Sequence, residues 1–161
     1  MNIEKKILDE QHYLYVDREC AFEPQSISEA MGSGFGDVFG FAGQHAITPR
    51  SMPMSLYVEM PSDKLRFRAG MLVSAEDAAR AEGDVKAGLI PAGEALTATH
   101  VGPYSSLSQS HRALWDYADA EGLIKAFPVW EIFVDDPQET KEDELRTEIF
   151  RFLGGPCEAD A

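Results

Sequence analysis

The two halves of the chain repeat one pattern of residues, and this repeat constrains the fold more than any other feature of the sequence. Residues 7–73 and 89–153 match in the same order at an offset of about 80 positions. In the clearest match, Leu56-Tyr57-Val58 corresponds to Ile132-Phe133-Val134. A sequence repeat of this length predicts two copies of one structural unit.

Each copy has the pattern strand, helix, strand, strand. Residues rich in aromatic and β-branched side chains open the copies, around residues 13–16 and at residues 94–101. A helical segment follows in both, and two further strands close each copy, at residues 55–60 and 65–73 and at residues 129–134 and 145–153. The polar stretch at residues 74–84 joins the copies and is too short to separate independent domains.

The two helical segments differ in regularity. In the first, one face is formed by Ile27, Met31, Phe35, Val38 and Ala42. Ser26 and Glu29 form a capping-box pattern there, but five glycines weaken the segment, so we expect a helix that bends or begins only after Gly36. In the second, the apolar stripe is Leu107, His111, Leu114 and Ala118. Serines 105, 106 and 108 offer caps, and Gly122 is expected to end this helix.

Each unit has a single apolar helix face and buries little surface alone, so we expect the units to join edge to edge. The predicted fold class is α+β, with duplicated βαββ units in one antiparallel sheet, two helices on one face, and a ligand cleft at the pseudo-twofold seam. The expected organisation is one domain, with repeat 1 at about residues 1–75, repeat 2 at about residues 84–153, and a tail at residues 154–161.

The charge of the chain restricts its partners. With 14 Lys and Arg residues against 28 Asp and Glu residues, the formal net charge is −14 at pH 7. Nucleic acids and anionic lipids are bound mainly by Lys and Arg, so we expect neither as a direct partner. The first residues lack the apolar stretch of a secretory signal, and no run is long enough for a membrane helix, so we expect a cytoplasmic protein.

Motifs for metals and cofactors are missing from the sequence. Cys20 and Cys157 form no CxxC, and the four histidines, at positions 12, 45, 100 and 111, do not have metal-ligand spacing. Gly32 and Gly34 begin like a dinucleotide-binding loop, but Asp37 stands where the third glycine belongs. We therefore expect neither a metal nor a cofactor.

The most informative strand lies in residues 128–137, with the sequence PVWEIFVDDP. Strand alternation places Trp130 on one face and Glu131, between Val129 and Phe133, on the other. If that second face is covered, Glu131 must be protonated, paired with a base, or available to a cationic ligand, because an unpaired buried carboxylate is costly. If the face meets water, Glu131 is an ordinary surface residue.

A tight turn precedes the second helix. Gly102 and Pro103 favour a turn, which places Tyr104 at the mouth of the unit. His100 is either an acid-base group or a structural residue with satisfied hydrogen bonds, and His111 is expected to face the core. Residues 135–148 are rich in carboxylates and form either a solvated hairpin loop or a patch for a basic protein partner.

Together these segments resemble the GyrI-like small-molecule-binding domain, which is also the effector-binding domain of AraC- and MerR-type transcription activators. The resemblance rests on His100-x-Gly102-Pro103-Tyr104, on Trp130-Glu131-Ile132-Phe133 running into Asp136-Pro137, and on Glu144-Leu145-Arg146-Thr147-Glu148. It spans nearly the whole chain. It implies a stand-alone effector domain of duplicated βαββ fold, with a ligand cleft between the halves.

The resemblance also implies a ligand: a lipophilic, positively charged small molecule that Glu131 receives among aromatic rings. The expected ligand-binding residues are Glu131, Phe133, Tyr57, Tyr104, Trp130 and Phe39, with Phe35 as an alternative to Phe39. Family members often have a tyrosine where this chain has Phe133, so we expect sequestering or sensing of compounds without catalysis.

Two other functions stay open. If the protein is a hydrolase of electrophilic cyclopropanoid compounds, as some family members are thought to be, the resemblance makes Glu131 and Tyr57 the catalytic residues. Alternatively, the protein is an interaction protein that resembles the gyrase inhibitor. In that case its acidic surface binds a basic, regulatory protein partner.

Overall fold

The computed structural model describes residues 2–59, 63–136 and 138–154. The strands in these residues are β1 Glu4–Leu8, β2 Gln11–Cys20, β3 Met54–Tyr57, β4 Leu65–Val73, β5 Lys86–Ile90, β6 Gly93–Val101, β7 Ile124–Phe133 and β8 Arg146–Gly154. The helices are α1 Pro24–Gln44, α2 Ala75–Ala78 and α3 Leu107–Ala120. Short 3₁₀ turns, Tyr104–Ser106 and Glu142–Glu144, precede α3 and β8.

The chain divides into two compact units with the same strand order. In the unit Glu10–Pro91, antiparallel strands follow the order β3, β4, β2, β5. The other unit combines β1 with the chain from Ala92 onward, in the antiparallel order β7, β8, β6, β1. The predicted α+β class with antiparallel strands is confirmed. The origin of the units as copies of one sequence, and the cleft at a seam, stay predictions.

Two strands were missed from the sequence. Strands β1 and β5 precede the predicted first strand of each copy, and each pairs with the first long strand of the other copy: β1 with β6, and β5 with β2. They are short and mostly exposed, and their apolar residues do not alternate clearly enough to predict strands. The predicted strand at residues 55–60 ends at Tyr57, and Met60 lies outside the described residues.

Helix α1 runs without a break from Pro24 to Gln44, so the predicted late start after Gly36 is wrong, and the alternative, a bent helix, stays a prediction. The predicted capping box is wrong as well, because the N-cap is Glu23 and no side chain caps the helix. Proline at the first turn favours this start, since its fixed φ suits a helix and its missing N–H costs no hydrogen bond there. Packing against the sheet then outweighs the low helix propensity of the glycines.

One glycine explains how closely α1 packs. A Cβ built on Gly34 would lie 2.5 Å from the Cβ of Ala69 on β4, so the helix approaches the strand more closely than any other residue allows. Gly34, Val38 and Ala42 are the buried residues of this face. They pack on the core of the unit, which includes Leu14, Val16, Phe67, Ala69 and Met71.

The second unit has a more regular helix. Helix α3 packs on β6 and β7 through Leu107, Ser110, Leu114 and Ala118. Gly122 follows it with φ +68°, which confirms the predicted stop. The predicted serine cap is wrong, because the Ser106 hydroxyl at the N-cap donates to the Pro103 carbonyl instead. None of the helices in the described ranges combines the length and hydropathy that a membrane span requires.

Two glycines of α1 should respond in opposite ways to substitution. Gly36 has open space around its Cβ position, so Gly36→Ala should raise the free energy of unfolding by about 0.5–1 kcal/mol. Gly34→Ala should lower it, because the new methyl group displaces α1 from Ala69. Urea unfolding of both variants measures the difference. Equal stabilities would contradict the close packing of α1 on β4.

Candidate functional site

Strand β7 places Glu131 beneath helix α3. Glu131 is 4% exposed, and its neighbours on the same face, Val129 and Phe133, are also buried. This face of β7 therefore does not meet water. A carboxylate in such a place needs hydrogen bonds or an opposite charge, because burial removes the water that solvates its charged form.

Helix α3 supplies a hydrogen-bond partner for Glu131. Nε2 of His111 lies 2.6 Å from Oε2 of Glu131. The His111 side chain is 21% exposed and the Glu131 side chain 5%, so the imidazole is the more exposed group of the pair. An ionised Glu131 accepts this hydrogen bond from an Nε2–H group, whether or not the imidazole also carries a second proton. The pair can therefore be anionic or neutral overall.

Two aromatic rings meet on the same face of β7 as Glu131. Phe133 and Tyr104 meet edge to face, with ring centroids 5.4 Å apart and an interplanar angle of 69°. Tyr104 is 37% exposed. Its partial burial raises the pKa of the phenol, and the charges of Asp135 and Asp136 raise it further, so the hydroxyl is a hydrogen-bond donor at neutral pH. The structure thus brings Glu131, Phe133 and Tyr104 together in one unit.

Trp130 is not brought together with Glu131. It is 1% exposed and lies on the opposite face of β7, because successive side chains of a strand alternate. There its ring stacks on Phe150 of β8 at 5.0 Å, with an interplanar angle of 8°. Trp130 and Phe150 are cross-strand partners, so this contact holds β7 and β8 in register.

Tyr57 and Phe39 belong to the other unit, Glu10–Pro91. Both are half-buried and pack against its hydrophobic core, as does Phe35. The ring of Tyr57 lies 6.4 Å from that of Phe67, at an interplanar angle of 50°. Tyr57 is the last residue of β3, and Ser55, two residues earlier in the same strand, is fully buried. The roles of Tyr57 and Phe39 in binding a ligand stay predictions.

His100 is a buried structural residue with hydrogen bonds on both ring nitrogens. Nδ1 lies 2.6 Å from the Ser110 hydroxyl, and Nε2 lies 3.1 Å from the Pro103 carbonyl oxygen. A carbonyl only accepts, so Nε2 carries hydrogen and donates. Gly102, at φ +133°, allows the turn between these partners. His100 therefore braces the turn that presents Tyr104.

Arg151 is a buried cation on the same face of the sheet as Glu131. Cross-strand pairing puts Arg151 opposite Val129. It is 6% exposed, and its guanidinium lies over Trp115, 4.6 Å from the ring centroid. Its Nε has no hydrogen-bond partner in the described part of the chain. Burial lowers the pKa of Arg151, and the aromatic ring offsets part of the lost hydration.

His111 and Arg151 were not predicted as site residues. The position of His111 in the apolar stripe of α3 correctly indicated an inward face, but the stripe could not show which strand residue it meets. Arg151 lies in an alternating strand pattern that gave no sign of a buried charge. Both contacts depend on how α3 lies over β7 and β8, which residue spacing does not determine.

An open depression of about 300 Å³ lies in the unit Glu10–Pro91, and none of the predicted site residues lines it, although Leu56 and Val58 on either side of Tyr57 do. It is lined by Asp17, Arg18, Glu19, Leu56, Val58, Glu59, Arg66, Phe67 and Arg68. Its charges are largely paired within the protein, as in the ion pairs Arg66–Glu19 and Lys86–Asp17. No group of three or more potential metal ligands occurs among the residues that the structure describes.

An ion pair closes the connection between β7 and β8, next to Tyr104. The Asp135 carboxylate accepts hydrogen bonds from Nη2 of Arg146 at 2.9 Å, from Nε at 3.0 Å and from the backbone N–H at 2.9 Å. These bonds, above all those from the guanidinium, lower the pKa of Asp135. The carboxylate therefore stabilises the fold above the pKa that it has in the unfolded chain.

Replacing Asp135 should change how the free energy of unfolding depends on pH. In the wild type, the contribution of Asp135 is lost as the pH falls through its lowered, folded-state pKa, whereas Asp135→Asn has no such contribution to lose. We expect the free energy of unfolding of the variant to fall less steeply between about pH 5 and about pH 2. Chemical unfolding across this range measures the slope. Asp143→Asn, at an exposed position of the same connection, is the control and should follow the wild-type slope.

Comparisons with known proteins agree with this fold. A family model described as the GyrI-like small molecule binding domain matches residues 1–151. The crystal structure of a hydrolase from Listeria innocua is 15% identical; the match covers 95% of this chain and 92% of that one, with a TM-score of 0.66. The C-terminal domain of EcmrR is 19% identical over 95% of this chain and 97% of that one, with a TM-score of 0.70.

A third solved structure contains a ligand. SAV2435 bound to tetraphenylphosphonium is 11% identical, covers 96% of this chain and 95% of its own, and has a TM-score of 0.65. At identities this low, the likeness extends to the fold alone. Among proteins with curated descriptions, none matches this chain significantly.

Proposed function

Because this chain belongs to the GyrI-like small-molecule-binding domain family, we propose that it binds lipophilic cations, with Glu131 as the carboxylate that receives the positive charge. The observation that carries this proposal is the burial of Glu131 beside an aromatic pair. A small-molecule ligand is the property of the family, and the cationic, lipophilic character of the ligand is inferred from the residues around Glu131.

A buried carboxylate favours a cation more than an exposed one does. Glu131 is 4% exposed, so water screens its charge weakly, and a ligand cation near it is attracted more strongly than at the surface. The same burial disfavours anionic ligands. The net charge of −14 acts in the same direction, because it raises the local concentration of cations around the whole protein.

The rings of Phe133 and Tyr104 provide the lipophilic part of the proposed site. Phe133 lies on the same face of β7 as Glu131, and the partly exposed ring of Tyr104 packs on its edge. A cation held against an aromatic face gains about 2 kcal/mol when it is desolvated. Aromatic surface and charge together select large, delocalised cations over small hydrated ones such as Na⁺, which lose more hydration on binding.

A solved structure of the same fold supports this choice of ligand. SAV2435 was solved with tetraphenylphosphonium, a permanent cation with four phenyl rings. We extend the ligand class to this chain because Glu131, Phe133 and Tyr104 offer the charge and the aromatic surface that such a cation needs. Sequestering or sensing of such compounds is the corresponding function.

Direct binding measurements test the proposal. Tetraphenylphosphonium and fluorescent cationic dyes should bind with micromolar dissociation constants or tighter, and Glu131→Gln should weaken them about tenfold or more, because it removes the charge and preserves the shape. Calorimetry and fluorescence anisotropy measure the constants. The matched control is Glu148→Gln on the neighbouring strand, where Glu148 is the cross-strand partner of Ile132 on the other face.

Two results would contradict the proposal. If the wild type and Glu131→Gln bind every compound with equal affinity, Glu131 is not part of the ligand-binding site. An equal loss of affinity in Glu148→Gln would point to a general effect of negative charge on the protein, not to a specific carboxylate.

A second candidate function, hydrolysis of electrophilic cyclopropanoid compounds, is favoured by the hydrogen bond between His111 and Glu131. General acid-base catalysis needs a carboxylate and a second group that exchanges protons, and an imidazole at 2.6 Å is such a group. A solved protein of the same fold is described as a hydrolase. Tyr57 is the other residue suggested as catalytic for this reaction. Its ring contact with Phe67 does not by itself indicate a catalytic role.

We expect binding without turnover, because Phe133 offers no hydroxyl to a reacting group. Incubation with an electrophilic cyclopropanoid compound, followed by mass spectrometry, should show no product beyond that of the uncatalysed reaction. Multiple turnovers that disappear in Glu131→Gln would overturn this expectation and establish the hydrolase.

A further inference from the structure

We propose that His111 determines the ligand charge that the site accepts: with a neutral His111 the hydrogen-bonded pair of His111 and an ionised Glu131 carries a negative charge and favours a cation, and a protonated His111 neutralises the pair and favours an uncharged ligand. The inference rests on the proposed function, since it concerns the same carboxylate. It adds a second residue, from a different element, that acts on the ligand through Glu131. His111 is thus a positioning residue in this proposal, without contact to the ligand.

The geometry places the two groups in direct contact. The 2.6 Å distance between Nε2 of His111 and Oε2 of Glu131 is that of a strong hydrogen bond. The Glu131 side chain is 5% exposed, so the carboxylate has little contact with water and its charge is weakly screened. A proton taken up by His111 changes the charge of the pair from −1 to 0 without breaking the hydrogen bond.

Other charged groups near the pair do not change between weakly acidic and weakly alkaline conditions, with one exception. On the strands and turn packed against α3, and on α3 itself, the titratable and charged groups besides His111 are Glu94, His100, Tyr104, Arg112, Asp116, Tyr117, Asp119, Lys125, Glu131 and Arg151. Arginine, lysine and exposed carboxylates ordinarily keep their charges in this range, and tyrosine stays neutral. The exception is His100, whose ring nitrogens are both occupied by Ser110 and Pro103.

The direction of the effect follows from charge. Imidazole is the side chain that ordinarily changes charge between about pH 5 and about pH 8. A proton added to the imidazole of His111 removes the net negative charge of the pair, so the affinity for a cation falls. Binding of a cation, by the same linkage, releases this proton. An uncharged compound of similar shape gains nothing from the anionic pair, so its affinity should not fall in acid.

The test compares a permanent cation with an uncharged relative at two pH values. Tetraphenylphosphonium does not titrate, and triphenylphosphine oxide is neutral with similar rings. For wild-type protein, the affinity for the cation should fall about tenfold between about pH 8.5 and about pH 5.5, which corresponds to about 1.4 kcal/mol, and the affinity for the neutral compound should stay the same or rise.

A variant isolates the imidazole. In His111→Gln, the side-chain amide can still donate a hydrogen bond to Glu131 but cannot gain a charge. At both pH values the variant should therefore bind the cation with the affinity that the wild type has at about pH 8.5. The matched control is His12→Gln, because His12 lies 3.5 Å from Glu10 in a second, more exposed histidine–glutamate pair. This control should keep the tenfold pH dependence of the wild type.

The outcomes separate this inference from the proposed function. Binding of the cation that requires Glu131 but does not vary with pH overturns the role of His111 and leaves the function intact. A pH dependence that persists in His111→Gln assigns the proton to another group, such as His100, and also overturns the inference. Failure of the cation to bind at either pH overturns both. A thermal unfolding curve of each variant at both pH values identifies any loss of affinity that comes from unfolding.

Discussion

The burial of a carboxylate under a helix is the constraint on which the candidate site depends. Glu131 lies near the C-terminal end of β7 with apolar neighbours on its own face, and α3 covers that face. An unpaired charge there would destabilise the fold by several kcal/mol, so a partner must be built into the covering element. His111 is that partner, and its position on α3 follows from the same stripe that packs the helix on the sheet.

The two faces of β7 make different kinds of contact. On one face, Trp130 stacks on Phe150 and holds β7 against β8. On the other, Glu131 and Phe133 meet α3 and the ring of Tyr104. A strand that is buried on both faces can keep a polar group on one of them, because apolar packing on the other supplies stability independently. His100 adds rigidity by bracing the turn before Tyr104.

The helices of the two units reach similar positions by different means. Helix α3 has no glycine and packs through larger side chains, whereas α1 contains Gly34 at its closest approach to Ala69. In α1, tertiary packing compensates for a weak helical sequence without capping side chains. Propensity alone therefore suggested a late start for α1 that is wrong, although the apolar face from Ile27 to Ala42 was predicted correctly.

The sequence by itself determined the α+β class, the strands around Glu131, the helix ending before Gly122, and the family, because these depend on local periodicity, turn residues and motif spacing. It did not determine β1 and β5, whose pairing partners lie far away in the chain. Nor did it determine that His111 meets Glu131, that Arg151 is buried over Trp115, or that Trp130 stacks on Phe150. Only the tertiary structure decided these contacts, because each depends on the placement of one element over another, which residue spacing along the chain does not encode.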